Sequence, residues 1–290
     1  MQVISLQRIH MIRRGLRRAV LYVPAHDVRK THKAAGLGVD AICFDLEDGV
    51  ALSRKCDARL GLKDALQLPT RSEVMVRVNA PNSEHFKDDI SFLLTECKLP
   101  QTLVIPKVDQ VSDLDWILDS NLGEDLKIMP IIESPLSMLN LDSILSYSER
   151  ITGAIFGADD YAARVGAVRT KTNHEVSFAR NWMLMHCAAR NIDAIDQVFI
   201  DLSAPEAELA LEAREGFELG FSGKQVIHPK QVPVVQDCFK PNAELLDFAR
   251  RVIEEFDKHE TDGTGAFVLD GKMIDMPTVK QCQNLLDKIS

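Results

Sequence analysis

Glu133 and Asp160 end two successive apolar runs, Ile128-Met-Pro-Ile-Ile-Glu133 and Gly153-Ala-Ile-Phe-Gly-Ala-Asp-Asp160. Read as neighbouring parallel strands about 4.8 Å apart, these runs let both carboxylates converge on one cation. With no His or Cys beside it, the pair suits a hard ion that keeps positions open for water and substrate, Mg2+ ahead of Mn2+ or Zn2+. The alternative is that each acid only caps the helix that follows it, through that helix's N-terminal amides.

Three more acids, Asp45, Glu47 and Asp48, close the run that starts at Ala41. Alternation along a strand puts Asp45 and Glu47 on one face and Leu46 on the other. Their mutual repulsion calls for a cation or an arginine. Arg77, inside the run Val74–Asn79, answers as an ion-pair partner of Asp45 or Glu47, or as a two-pronged clamp for a substrate carboxylate. Lys107, after Pro106, admits Schiff-base chemistry, which has no use for the paired acids and so ranks below the metal reading. His228, before Pro229, reads as a base or as a hydrogen-bonded structural histidine. Asp275, among Met273, Ile274 and Met276, is a candidate general acid or base.

Positioning these groups takes eight such runs: Arg18–Pro24, Ala41–Asp48, Val74–Asn79, Thr102–Val108, Ile128–Glu133, Gly153–Asp160, Gln197–Asp201 and Lys224–His228. Amphipathic segments separate them, which predicts an α/β fold, a (β/α)8 TIM barrel whose strand carboxyl ends carry the site. Ser134-Pro135 reads as a helix cap followed by a first-turn proline, Thr172-x-x-Glu175 and Ser203-x-x-Glu206 as capping boxes, and Gly220 as a helix end. Beyond the barrel, Pro241–Glu260 reads as a helix, Asp270-Gly271 as a hairpin turn, and Pro277–Ile289 as a last helix. The expected plan is a basic arm over 1–17, a barrel over 18–240 and a hairpin-plus-helix extension over 241–290. That extension caps its own subunit or reaches a neighbouring one.

At 290 residues and 46% hydrophobic content the chain is long enough for one barrel of about 250 residues with an extension. A net charge of −9 and the lack of a basic stripe argue against nucleic acid as partner. No apolar stretch approaches the roughly 20 residues that span a bilayer. Six cysteines without C-x-x-C spacing fit reduced intracellular thiols. The first carboxylate is Asp27, and the preceding Arg8, Arg13, Arg14, Arg17 and Arg18 make an arginine-rich, acid-free leader. That is the composition of a mitochondrial transit segment, or else of an ordinary basic arm.

Seven motifs in order then resemble the citrate lyase β-subunit/malyl-CoA lyase family. They are Arg18-x-x-Leu-Tyr-Val-Pro24, Asp45-Leu-Glu-Asp-Gly-Val50, Val76-Arg-Val-Asn79, Ile105-Pro-Lys-Val108, Ile132-Glu-Ser-Pro135, Phe156-Gly-Ala-Asp-Asp160 and Gly223-Lys-Gln-Val-Ile-His-Pro229. Gly265-Ala-Phe and Met273-Ile-Asp-Met-Pro277 are similar to its mitochondrial animal branch. The resemblance implies Mg2+ on Glu133 and Asp160 and a substrate carboxylate on Arg77; in the mechanism that follows from it, Asp45 and Glu47 position metal-bound waters rather than bind the ion directly. It implies that Arg18, Tyr22, Arg29, Lys30 and Lys33 meet coenzyme A, and that Asp275 serves a neighbouring subunit's site within a homotrimer. It further implies cleavage of citramalyl-CoA to acetyl-CoA and pyruvate in the mitochondrial matrix, with a malate synthase-type side condensation of glyoxylate and acetyl-CoA. One departure is that the family's usual Pro-Gly is Pro24-Ala25 here, followed by His26. Two other readings stay open: a β chain acting on a carrier-protein thioester, and a metal-dependent aldolase on CoA-free hydroxy acids.

Overall fold

The structure, a computed structural model, describes residues 16–261 and 265–287. Most of the basic leader lies outside the described residues. Eight parallel strands close into a barrel in sequence order: β1 Ala19–Pro24, β2 Ala41–Asp45, β3 Glu73–Arg77, β4 Thr102–Ile105, β5 Lys127–Ile132, β6 Gly153–Phe156, β7 Asp193–Asp196 and β8 Gly223–Val226. β8 returns to β1 in the register Ala19↔Lys224, Val20↔Gln225 and Leu21↔Val226. The helices between them are α1 Val28–Ala35, α2 Lys55–Ala65, α3 Phe86–Glu96, α4 Ser112–Leu118, α5 Pro135–Leu139, α6 Leu141–Ser146, α7 Ala158–Val165, α8 Ser177–Ala189 and α9 Glu206–Leu219. The α/β barrel of the sequence reading is the observed fold.

The chain divides into two compact units, Met1–Gln236 and Asp237–Ser290, with α10 Gln231–Cys238 crossing the division. In the second unit α11 Ala243–Thr261 and α12 Met276–Asp287 pack with the hairpin β9 Phe267–Leu269 and β10 Lys272–Ile274. Its core gathers Ala249, Val252, Phe256, Phe267, Ile274, Val279 and Cys282. Asp270 and Gly271 both take positive φ, 50° and 74°, as a tight hairpin of this kind requires.

The seventh strand corrects the sequence reading. It is Asp193–Asp196, and the run Gln197–Asp201 has left the sheet. Ala194 and Ile195 supply the apolar pairing with Ala154 and Ile155 of β6. Asp196 stays in the strand because its fully buried carboxylate takes two hydrogen bonds from Arg180, at 3.0 and 2.8 Å. Asp201 therefore holds a turn, accepting from the amides of Ser203 and Ala204. Two helix starts also differ. α8 begins after Val176 because Glu175 is engaged by Arg169 and Thr170, and α9 begins after Pro205 because Ser203 is engaged by Asp201. Ser134 does cap α5, in a box completed by Ser137, and Gly220 ends α9 with φ 112°.

At the base of the barrel Arg17 is buried, with Nε and Nη2 each 2.7 Å from Glu73 and Nη1 2.9 Å from Asp193. Arg18 is tied to Asp40 at this same end. That removes Arg18 from the site at the opposite end of the strands, because it precedes β1 rather than following it.

Candidate active site

The site rides on the inward face of the barrel, one alternation beyond the core. Val20, Cys43, Met75 and Ile131 belong to the buried barrel cluster. Two residues on, with the same facing, stand Tyr22, Asp45, Arg77 and Glu133. These four, with Arg29, Lys30, Lys33 and Asp160, line one cavity of about 790 Å3, within the range of small-molecule sites. The sequence-predicted barrel residues are thus brought together, with Glu47 just behind the wall.

Arg77 is held first by Asp45, through Nε–Oδ1 at 2.7 Å and Nη2–Oδ2 at 2.6 Å. Its Nη1 lies 3.0 Å from Glu47 Oε2. The remaining oxygen positions of Asp45 accept the amides of Glu47 at 2.9 Å and Gly49 at 2.8 Å. A side chain at Gly49 would put its Cβ 2.4 Å from Asp45 Oδ2, so the close approach requires glycine. With four hydrogen bonds accepted, Asp45 is engaged in orienting Arg77, the ion pair that the sequence offered as one reading of that arginine. Burial would raise the Asp45 carboxyl, but Arg77 holds it below the usual range. Burial pushes the Glu47 carboxyl up, against the pull of Arg77 and Lys107.

Lys107 has φ 54° at the end of β4 and points its ammonium at Glu47 and Asp48. Burial would lower its pKa, yet Glu47 and Asp48 raise it. A protonated ion-paired lysine is no Schiff-base nucleophile. Its turned backbone aims its amide at Glu133 Oε1, 2.6 Å away.

Glu133 is the most perturbed carboxyl of the mouth. Burial first, and the charge of Asp160 second, push it up to about 8. Asp160 stands in the first turn of α7, four residues past the end of β6, and its carboxylate has no hydrogen-bond or ion-pair partner among the described residues. A Cβ at Gly157 would lie 2.4 Å from Glu133 Oε2, so this glycine leaves Glu133 its room. Among the described residues no three His, Cys, Asp or Glu side chains form a ready-made ligand set. Two converging carboxylates, crowded when no cation separates them, fit a hard cation that keeps open positions.

At the rim, Arg29 and Lys33 are one helical turn apart on α1, with Lys30 between them, all exposed. Tyr22 lies deeper, its ring 5.0 Å from the Arg77 guanidinium carbon and its buried hydroxyl without a hydrogen-bond partner among the described residues. His228 lines the cavity and accepts the Lys230 amide at Nδ1, 3.1 Å away. In the second unit Asp275 directly precedes α12, where its Oδ1 accepts from the Thr278 amide at 3.3 Å and hydroxyl at 3.0 Å.

Sequence reasoning missed three supports. Lys55 reaches from α2 to the carbonyls of Leu46 and Glu47, at 2.7 and 2.8 Å, and fixes the end of β2. Gln225 lines the cavity and bridges the carbonyls of Phe156 and Asp196. Arg169 grips Asp159. The Gly223–Pro229 motif flagged Gln225 without a role, whereas nothing in the local sequence marks Lys55 or Arg169.

Residues 18–229 match the HpcH/HpaI aldolase/citrate lyase family. The human protein named citramalyl-CoA lyase, mitochondrial, is 36% identical over 92% of this chain and 84% of its own length. The citrate lyase subunit beta of Escherichia coli K12 is 31% identical over 94% and 93%. Among solved structures, CitE from Mycobacterium tuberculosis in complex with magnesium, acetoacetate and coenzyme A superposes with a TM-score of 0.81 at 27% identity, covering 94% of this chain and 98% of that one. The chain thus belongs to the HpcH/HpaI aldolase/citrate lyase family and is a carbon–carbon lyase.

Proposed function

We propose that this lyase is a Mg2+-dependent citramalyl-CoA lyase that cleaves citramalyl-CoA to acetyl-CoA and pyruvate. The observation that carries the reading is the pairing of Glu133 with the unpartnered Asp160 in one cavity with a preset Arg77. The activity named for the mammalian relatives and the ligands in the CitE structure support it.

Glu133 and Asp160 would hold Mg2+, which when bound supplies a Lewis acid for the substrate's carboxylate and hydroxyl oxygens. Arg77, with N–H groups to spare beyond those given to Asp45, holds the substrate carboxylate. Breaking the bond between the hydroxyl-bearing carbon and the acetyl group sends its electron pair to the thioester as an enolate. The enolate carbon takes a proton from Asp275, the hydroxyl proton passes to solvent water, and solvent returns a proton to Asp275, so the proton count balances. Arg29, Lys30 and Lys33 meet the phosphates of coenzyme A, and Tyr22 borders the acyl end. In the condensing direction Asp275 takes a proton from the acetyl methyl group, and glyoxylate plus acetyl-CoA gives the malate synthase-type side reaction.

Residues 18–240 form the binding barrel in this reading, and 241–290 deliver Asp275 to a neighbouring copy in a homotrimer. The mitochondrial names of the mammalian relatives and the acid-free arginine-rich leader support a mitochondrial matrix location. The test is pyruvate release from citramalyl-CoA by the purified chain. Release that stops on chelation and returns with Mg2+ is expected. No release from the free CoA thioester, with cleavage of a carrier-protein thioester instead, would replace this reading by that of a citrate lyase β chain.

A further inference from the structure

Asp159 and Asp160 are adjacent in the first turn of α7, both line the cavity, and their carboxylates have different fates. Asp159 Oδ1 accepts from Arg169 Nε at 3.0 Å, while Asp160 is left without a partner among the described residues. Arg169 is not part of the cavity lining. It gives Nη1 to Glu175, and Nη2 to Asn173 Oδ1 at 3.1 Å and Gln197 Oε1 at 3.2 Å. One planar cation therefore joins the first turn of α7, the loop between α7 and α8, and the segment leaving β7.

That junction is anchored below. Asn173 Nδ2 donates to Glu212 Oε2 at 2.8 Å, and Glu212 Oε1 accepts from Lys224 Nζ at 2.6 Å. Lys224 is fully buried and also donates to the Gln197 carbonyl at 2.8 Å. The chain of charges thus ends in the barrel wall, and Arg169 cannot drift without breaking it.

Two like charges in one helical turn repel each other, and both would compete for a cation entering the cavity. Arg169 neutralises one of them from outside and fixes the turn that carries the other. We infer that Arg169 is the positioning residue of the cation site: by pairing with Asp159 it leaves Asp160 alone to face the metal, at a set angle to Glu133. A lysine could replace the charge but not the fork that spans four acceptors. The inference rests on the reading of Glu133 and Asp160 as the Mg2+ ligands.

The experiment is Mn2+ binding to the full-length protein without substrate, followed by electron paramagnetic resonance, alongside the Mg2+ dependence of turnover. Arg169→Gln should weaken Mn2+ binding about 10–100-fold and raise the Mg2+ needed for half-maximal rate, with kcat at saturating Mg2+ near wild type. Arg169→Lys should recover only part of the affinity. Glu215→Gln, at the far, half-exposed end of the neighbouring Arg180 ion pairs, should leave Mn2+ affinity unchanged. A folded Arg169→Gln protein that binds Mn2+ as the wild type does overturns the inference. Should that variant not fold, Asp159→Asn removes only the acceptor, and wild-type Mn2+ affinity there overturns it equally. Undiminished Mn2+ binding in Asp160→Asn and Glu133→Gln would instead remove the ligand assignment, and the inference with it.

Discussion

At the scale of single residues, the charge state of Glu133 ties stability to metal. Without a cation its folded-state pKa is pushed up to about 8 by burial and by Asp160, above the ordinary 4.5. The folded protein then binds more protons than the unfolded chain between these values, so stability falls as pH rises through the window and levels off above it. Thermal melting in EDTA should show that fall between about pH 4.5 and 8, and Mg2+ should raise the melting temperature most at its upper end, where the ligand is already deprotonated. A melting temperature indifferent to Mg2+ at pH 8 would count against the pair as its site. That Glu133, Asp160 and Arg77 share one cavity was legible in the sequence because the strand ends of this fold, and the turns just beyond them, open on the same mouth whatever surrounds them. The pairing of Asp45 with Arg77 was legible as one of two readings of that arginine, but the amides of Glu47 and Gly49 that complete its four hydrogen bonds were not, since they depend on the turn after β2 and on the missing side chain of Gly49. Arg169 stayed hidden because its acceptors lie in three separate segments.

At the scale of elements, the barrel keeps stability at one end of its strands and chemistry at the other. Two glycines separate these roles. At Gly157, where φ is −91° and suits any residue, a Cβ would meet Glu133 Oε2 at 2.4 Å. At Gly223 it would meet the Arg17 carbonyl oxygen at 1.9 Å, where β8 closes on the entry to β1. Gly157→Ala should cost about 1–3 kcal/mol by overpacking and lose most Mg2+ affinity. Gly223→Ala, which clashes with backbone that cannot swing away, should lower the denaturation midpoint further and leave Mg2+ affinity intact in the folded protein. Denaturant titration and Mg2+ titration of both variants check the pair, and equal Mg2+ affinities would contradict it. The eight-fold alternation was readable because buried parallel strands are continuous apolar runs. β7 was displaced because a buried acid, Asp196, ends a strand whose apolar stretch is only Ala194 and Ile195, while the more apolar Val198-Phe199-Ile200 follows outside the sheet.

At the scale of the whole molecule, the proposed chemistry needs groups from both compact units, the cation pair from Met1–Gln236 and Asp275 from Asp237–Ser290. The hairpin that leads to Asp275 exposes Val268 and Met273, each 72% accessible, apolar surface that a neighbouring copy in the proposed trimer would cover. Asp275→Asn should cut turnover at least about a hundredfold and leave Mg2+ binding unchanged, as should Asp160→Asn for turnover but not for Mg2+. Coexpressing the two inactive chains then decides where Asp275 acts. If it serves a neighbour, a mixed ring contains sites that take Asp160 from one chain and Asp275 from the next. Random assembly of equal amounts makes about a quarter of the sites intact, and turnover should recover to that fraction of wild type. If it serves its own chain, every site lacks one of the two groups, and mixing recovers nothing. An Asp275→Asn chain with full turnover on its own would remove Asp275 from the reaction altogether.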